Sequence, residues 1–287
     1  MPTETGQRSS TRDWNAMQML VRLRNVATAL VATAVLATAG CGSDTESTSE
    51  PAATDAAVKP AIVLVHGSFS DSSSWDTVAD NLRGQGYRVV QPDNPLRGPA
   101  ADAAAVTRAI EEITGPVVLV GHSYGGAVIS NIHRPNIKAE VFVAAFAPER
   151  GETVRALSDP ARYPGSRIET ALRIQPTENG AEVTMAPEQF GSVFAQDVSA
   201  DVAARLAASQ RPTSAAANAE PSGEPSWAKV PCWYLISTDD LTFPPASQRF
   251  QADRMRARIS EVKSSHASPV SHPDEVVATI TAAAGNS

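Results

Sequence analysis

From about residue 59 to the C-terminus, short apolar runs alternate with stretches whose apolar residues recur at helical spacing. Ala61 to Val65 has no polar position between Pro60 and His66, the pattern of a strand buried on both faces. Trp75, Val78, Ala79 and Leu82 share one helical face, and Gly84 and Gly86 end that helix. Tyr87 to Gln91 predicts a second strand, stopped by Pro92. Ala100 to Ile113 is an Ala-rich helix ending at Gly115-Pro116, and Val117 to Val120 is a third strand. Ala127 to His133 reads as a helix halted by Pro135, and Val141 to Phe146 as a fourth strand closed by Pro148. Trp233 to Ile236 gives a fifth strand, Ala246 to Met255 a helix, Ile259 to Val262 a weak edge strand, and Asp274 to Ala284 a last helix behind Pro273. Strands alternating with helices imply an α/β class fold, a mostly parallel, doubly wound sheet covered on both faces. Residues 149–229 break the rhythm. They are rich in Pro, Ser, Arg and Ala, show no strong strand pattern, and hold one helix, Ser199 to Ser209. They read as a cap inserted between two strands; the alternative is a loose excursion with no part in binding.

The N-terminal segment has another character. Arg22 and Arg24 precede the apolar stretch Val26 to Ala39, which ends in Thr38-Ala39-Gly40-Cys41. Basic residues, a brief apolar stretch and small residues make a secretory signal. The stretch is too short to span a bilayer, which takes roughly 20 apolar residues. The small residues before Cys41 resemble a bacterial lipobox, although Thr38 stands where that motif usually has Leu. Residues 1–41 are therefore expected to be a signal peptide with Cys41 as lipidation site, which would tether an exported protein to the outer face of a bacterial membrane. With an ordinary cleaved signal the protein is secreted and Cys41 is incidental. The residues before Met17 lack signal character, so Met17 or Met19 would give a leader of normal length. Residues 42–58 are mostly Ser, Thr, Glu, Asp, Pro and Ala and cannot bury a core, which makes them a flexible linker. The folded domain is placed at 59–287.

Composition narrows the partners. Apolar residues make up 42% of the 287, enough for a sizeable core. The first forty residues carry four Arg against Glu4 and Asp13, so the remainder is more acidic than the formal net charge of −7. Such a surface suits neither nucleic acid nor anionic lipid. Membrane association is expected only through Cys41. Cys41 and Cys232 are the only cysteines and form no disulfide framework; Cys232, in an apolar run, reads as a small buried hydrophobe. No Cys clusters with His or acids at zinc-ligand spacing.

Gly121-His122-Ser123-Tyr124-Gly125-Gly126 fits G-x-S-x-G between an apolar strand and a helix. Small residues on both sides of the serine allow a sharp strand-to-helix turn that lifts Ser123 Oγ clear of the sheet. The turn also sets Ser123 at a helix N-terminus, where backbone N–H groups receive negative charge. This segment, with Val63-Leu64-Val65-His66-Gly67-Ser68, Trp75 and Ala147-Pro148, resembles the α/β-hydrolase superfamily. Within it the chain looks like the branch of plant methylesterases, hydroxynitrile lyases and related bacterial esterases. The resemblance runs from Pro60 onward and is weakest across the cap.

A serine hydroxyl is a poor nucleophile near neutral pH and needs a positioned base. The resemblance implies the chain order Ser, acid, His. His66 and His122 belong to the two turns already described and are structural in that superfamily; His133 is placed in the helix after the elbow, facing away from the site. His266 closely follows the last strand and is preferred as base over His272, which precedes Pro273 at a helix start. Asp239 and Asp240 both follow the fifth strand; the resemblance favours Asp240, with Pro244 four residues on. It also implies oxyanion donors from the backbone of Tyr124 and of Ser68, with Phe69 the alternative to Ser68. Phe69, Phe190, Phe194 and Trp227 are candidates for an apolar substrate pocket, although the last three could simply anchor the cap.

The expected function is hydrolysis of a small-to-medium carboxylic ester through an acyl-enzyme, with no metal or cofactor. Perhydrolysis on the same triad stays open. A lyase reaction is disfavoured, because its plant examples use a site Lys and Lys138, Lys229 and Lys263 have no evident route there. A ligand-binding protein on a hydrolase scaffold is the non-enzymatic alternative.

Overall fold

The computed structural model describes residues 58–285. The expected signal peptide, Cys41 and nearly all of the linker lie outside them. The chain enters through β1 (Ala61–Val65), α1 (Asp76–Gly84), β2 (Val89–Val90), α2 (Pro99–Ala109), β3 (Val117–His122), α3 (Tyr124–Ile129) and β4 (Ile137–Val143). An excursion follows: α4 (Val154–Leu157), α5 (Ile168–Ala171), β5 (Leu172–Thr177), β6 (Gly180–Met185), α6 (Pro187–Val193), α7 (Ala200–Ala208) and β7 (Thr213–Ser214). The chain then returns through β8 (Cys232–Ser237), α8 (Pro245–Arg254), β9 (Arg258–Val262), α9 (Ser268–Ser271) and α10 (Pro273–Ala284).

The main sheet has the order β2-β1-β3-β4-β8-β9, and every neighbouring pair is parallel. Successive strand side chains point to opposite faces, and both faces are buried. Ile62, Leu64, Val118, Val120, Val141 and Val143 pack with Trp75, α1 and α10; Val63, Val65, Leu119, Phe142, Tyr234 and Ile236 pack with α2, α3 and α8. Fully burying one such aliphatic side chain stabilises the fold by about 1.5–3 kcal/mol. That double demand is why these strands read as unbroken apolar runs. The chain reverses direction across the sheet between β1 and β3, and the carboxyl ends of strands at such a switch point are where open α/β sheets hold their ligands.

Several boundaries differ from the expectation. β4 begins four residues earlier, at Ile137, and ends at Val143, because Ala144 takes φ +42°. The early start hides Glu140 inside the sheet, with Ser226 as a polar side-chain neighbour. Burial pushes its pKa up to about 8, so the group is carried mostly as the neutral acid at pH 7. Helix α3 stops at Ile129, leaving His133 exposed beyond it. The larger correction concerns residues 149–229, where β5, β6 and β7 form a three-stranded antiparallel sheet. Its hairpin turns at Glu178-Asn179 before Gly180, whose φ of +125° suits glycine. The Asn-Gly pair was a readable turn signal. It was obscured because β5 is a largely exposed edge strand containing Arg173, Gln175 and Pro176, so it lacks the apolar run that marks the body strands.

Candidate active site

Ser123 sits at the carboxyl end of β3, where α3 begins, with φ +54° and ψ −126°. A non-glycine residue in that region is strained by about 1–3 kcal/mol and persists only where its surroundings over-determine it. Here the backbone is held on both sides. Ser123 N–H donates to the Val143 carbonyl (3.2 Å), and its own carbonyl accepts from Gly126 N–H (3.0 Å) and Phe146 N–H (3.1 Å). The turn needs bare backbone beside it. A Cβ on Gly121 would lie 2.6 Å from Gly126 N, and one on Gly125 only 2.3 Å from the Val65 carbonyl oxygen.

The structure brings the three residues of the expected triad together across 143 positions of sequence. Ser123 Oγ lies 2.8 Å from His266 Nε2, and His266 Nδ1 lies 2.6 Å from Asp240 Oδ2. All three are buried. Asp240 is tightly held: Oδ1 accepts the backbone N–H groups of Thr242 and Phe243 (both 2.8 Å), and Oδ2 also accepts Gln248 Nε2–H (2.9 Å). With four donors facing it, the carboxylate can orient the imidazole and stabilise its charged form. Asp239 is exposed and only its backbone takes part, accepting from Gln196 and donating to Ser264. His272 stands outside the triad, between Asp197 and Glu275.

The two turn histidines brace this arrangement. His66 Nδ1–H donates to the Gly67 carbonyl (2.9 Å) while Nε2 accepts Asn94 N–H (3.0 Å), and burial lowers its pKa, so it is neutral. His122 is also buried, its pKa pushed well down by desolvation; its Nε2–H donates to the His266 carbonyl (2.8 Å). The His266 ring packs against both His122 and Phe194, with centroids 4.8 Å from each.

A cavity of about 440 Å³ opens onto Ser123 and His266. Phe69, Phe146, Phe194 and Phe243 line its buried part, and Arg155, Glu169 and Ile174 line its exposed rim. Ser68, Phe69 and Tyr124 border it too, and among the described residues nothing accepts from their backbone N–H groups. Two of the expected pocket residues do not reach the cavity. Phe190 stacks on Phe194 inside the cap's own core, centroids 4.7 Å apart. Trp227 is buried in the body, its indole N–H bound to the Pro148 carbonyl. Both anchor the fold, because the apolar surface they cover lies behind the pocket wall. Lys138, Lys229 and Lys263 do not line the cavity.

Sequence reasoning missed Gln248 and, apart from Phe194 as a pocket candidate, the cap segment 193–197. Gln248 bonds Asp240 Oδ2, the Phe243 carbonyl and Ser237 N–H. Its only trace is a run of polar residues, Ser247, Gln248 and Gln251, on a helix face that turns out to be buried. The cap segment fastens both triad loops. The Val193 carbonyl accepts Thr242 Oγ1–H, the Phe194 carbonyl accepts Ala267 N–H, and Asp197 accepts Ser265 N–H.

Comparison with known proteins points the same way. Residues 62–279 match the model of the alpha/beta hydrolase family. The chain is 25% identical over 239 residues to a pyrethroid hydrolase of Sphingobium wenxiniae, covering 76% of this chain and 85% of that protein. It is 26% identical over 233 residues to methylesterase 8 of Arabidopsis thaliana, covering 68% and 78%. Its fold is shared with the crystal structure of polyneuridine aldehyde esterase, at a TM-score of 0.67, 20% identity and coverage of 78% and 99%.

Proposed function

The chain belongs to the alpha/beta hydrolase family and is an ester hydrolase, and from that premise we propose that Ser123 attacks small-to-medium carboxylic esters carrying an apolar portion. The observation that carries the reading is the unbroken Ser123–His266–Asp240 chain opening onto an aromatic cavity. Ser123 Oγ gives its proton to His266 Nε2 and bonds the ester carbonyl carbon. The oxyanion that forms is received by the N–H groups of Tyr124 and Ser68, donors already placed when charge develops. His266 passes the proton to the departing alcohol, leaving an acyl-Ser123. Water then gives a proton to His266 and attacks the acyl carbon, and as the bond to Ser123 breaks His266 returns that proton to Ser123 Oγ, freeing the carboxylic acid. Asp240 stays ionised throughout.

The test is a series of p-nitrophenyl esters of rising acyl length, run beside a fluorophosphonate probe whose adduct is located by mass spectrometry. Turnover with labelling at Ser123 is expected, the optimum chain length reporting the depth of the aromatic pocket. No turnover together with no label would sink the hydrolase assignment in favour of ligand binding.

We further propose, on the sequence of residues 1–41, that the protein is exported and held by a lipid on Cys41. Expressed in a bacterium, it should incorporate labelled fatty acid. Equal incorporation by Cys41→Ser would refute this.

A further inference from the structure

The acyl-transfer chemistry proposed above uses the backbone of Tyr124 and not its phenol. Yet that side chain is 1% exposed, and its hydroxyl donates to Asp102 Oδ2 at 2.7 Å. Asp102, on α2, is fully buried. A buried carboxylate is costly unless it is hydrogen-bonded. Besides the phenol, Asp102 accepts Arg97 N–H on both oxygens (3.0 and 3.1 Å) and Gly98 N–H at 3.4 Å. No ligand or cation is needed to explain it; it is an internal anchor aimed at the residue that follows the nucleophile.

The backbone that feeds Asp102 is itself distorted. Leu96 has φ +61° and Gly98 φ +157°. Strain of this kind clusters at functional sites. Residues 94–98 also reach the other side of the oxyanion hole. Asn94 donates from its backbone to the His66 ring and from its side chain to the His66 carbonyl (3.2 Å), and accepts Leu96 N–H (3.3 Å). His66 and Gly67 lead directly into Ser68. The Leu96 carbonyl accepts Ser214 N–H from the cap strand β7 (2.9 Å), which closes the loop down. One short segment thus braces the turn carrying Ser68 and, through Asp102, the residue carrying the second donor.

We propose that Asp102 is a positioning residue for acyl transfer, which through the Tyr124 hydroxyl sets the direction of the Tyr124 backbone N–H toward the oxyanion. Tyr124 is the first residue of α3. The Ser123 carbonyl, held by Gly126 and Phe146 N–H, fixes one end of the peptide that carries its N–H, and the phenol bonded to Asp102 holds the Tyr124 end. Small displacements there matter, because an oxyanion donor contributes only when aimed at the oxygen of the transition state.

Tyr124→Phe tests this while keeping the ring. The variant should fold, since Arg97 and Gly98 still satisfy Asp102. We expect kcat to fall roughly tenfold, less than the 10²–10³ lost when a donor is removed outright. KM should stay within about twofold, and the inhibition constant of a trifluoromethyl ketone, which forms an oxyanion adduct, should rise by the same factor as kcat falls. Unchanged kcat and ketone affinity would overturn the inference, and so would a lowered kcat with unchanged ketone affinity and a lowered Tm, the mark of a merely structural role. Fluorophosphonate labelling of the wild type separates the two levels. If wild-type Ser123 does not label, the acyl-transfer reading itself has failed.

Discussion

Ser123→Ala is expected to lower kcat on p-nitrophenyl esters by roughly 10⁴- to 10⁶-fold, the range seen when the nucleophile of a triad is removed. Among the described residues its Oγ is the only side-chain group hydrogen-bonded to His266 Nε2. Ser68, Ser158, Ser166 and Thr242 also border the cavity, but none bonds the imidazole, so no other hydroxyl inherits the role. A small residual rate over water should remain, because the proposed oxyanion donors, the Tyr124 and Ser68 N–H groups, and the aromatic walls are untouched. Stability should change little. Alanine tolerates φ +54° no better than serine, but the three backbone bonds that pin residue 123 do not involve the hydroxyl. Parallel thermal melts and steady-state kinetics decide the matter. A variant that melts within a few degrees of the wild type yet keeps more than about 1% of its kcat would show that Ser123 is not the nucleophile.

Asp240→Asn should cost about 10⁴-fold in kcat with KM nearly unchanged, while Asp239→Asn stays within about twofold of the wild type. The reason lies in the four donors around Asp240. Thr242 N–H and Phe243 N–H face Oδ1, and His266 Nδ1–H and Gln248 Nε2–H face Oδ2. An amide offers one acceptor and one donor. The two backbone N–H groups cannot withdraw, so the amide oxygen must face them and the NH₂ must face His266. The imidazole can then accept only by moving its proton to Nε2, which puts N–H against Ser123 Oγ and removes the base. The exposed Asp239 carboxylate faces no such cluster. If the two variants exchanged their effects, the acid would be Asp239 and the geometry described above would be wrong.

The elements that the sequence revealed best share one property: their pattern is local and doubly constrained. β1, β3 and β8 carry the unbroken apolar runs Ala61–Val65, Val117–Val120 and Cys232–Ile236 because helices cover both faces, and the elbow is marked by glycines that no larger residue could replace at Gly121 and Gly125. The cap was poorly legible for the opposite reason. Its strand β5 is exposed along most of its length, so nothing forces its side chains into an alternating pattern. Phe190, Phe194 and Trp227 looked alike in sequence. The fold turned one toward the imidazole and the other two into packing, because which side of a wall an aromatic covers depends on what stands opposite it.

By itself, then, the sequence determined the order of strands and helices outside the cap, the serine at the turn and the histidine after the last strand, since each follows from a few neighbouring residues. Only the tertiary structure decided between Asp239 and Asp240, adjacent in a loop whose side-chain directions follow no period. It alone placed Gln248 behind the acid and tied Asp102 to Tyr124. The triad contacts join residues 26 and 143 positions apart, and partners so distant are chosen by packing of the whole sheet, which no local pattern records.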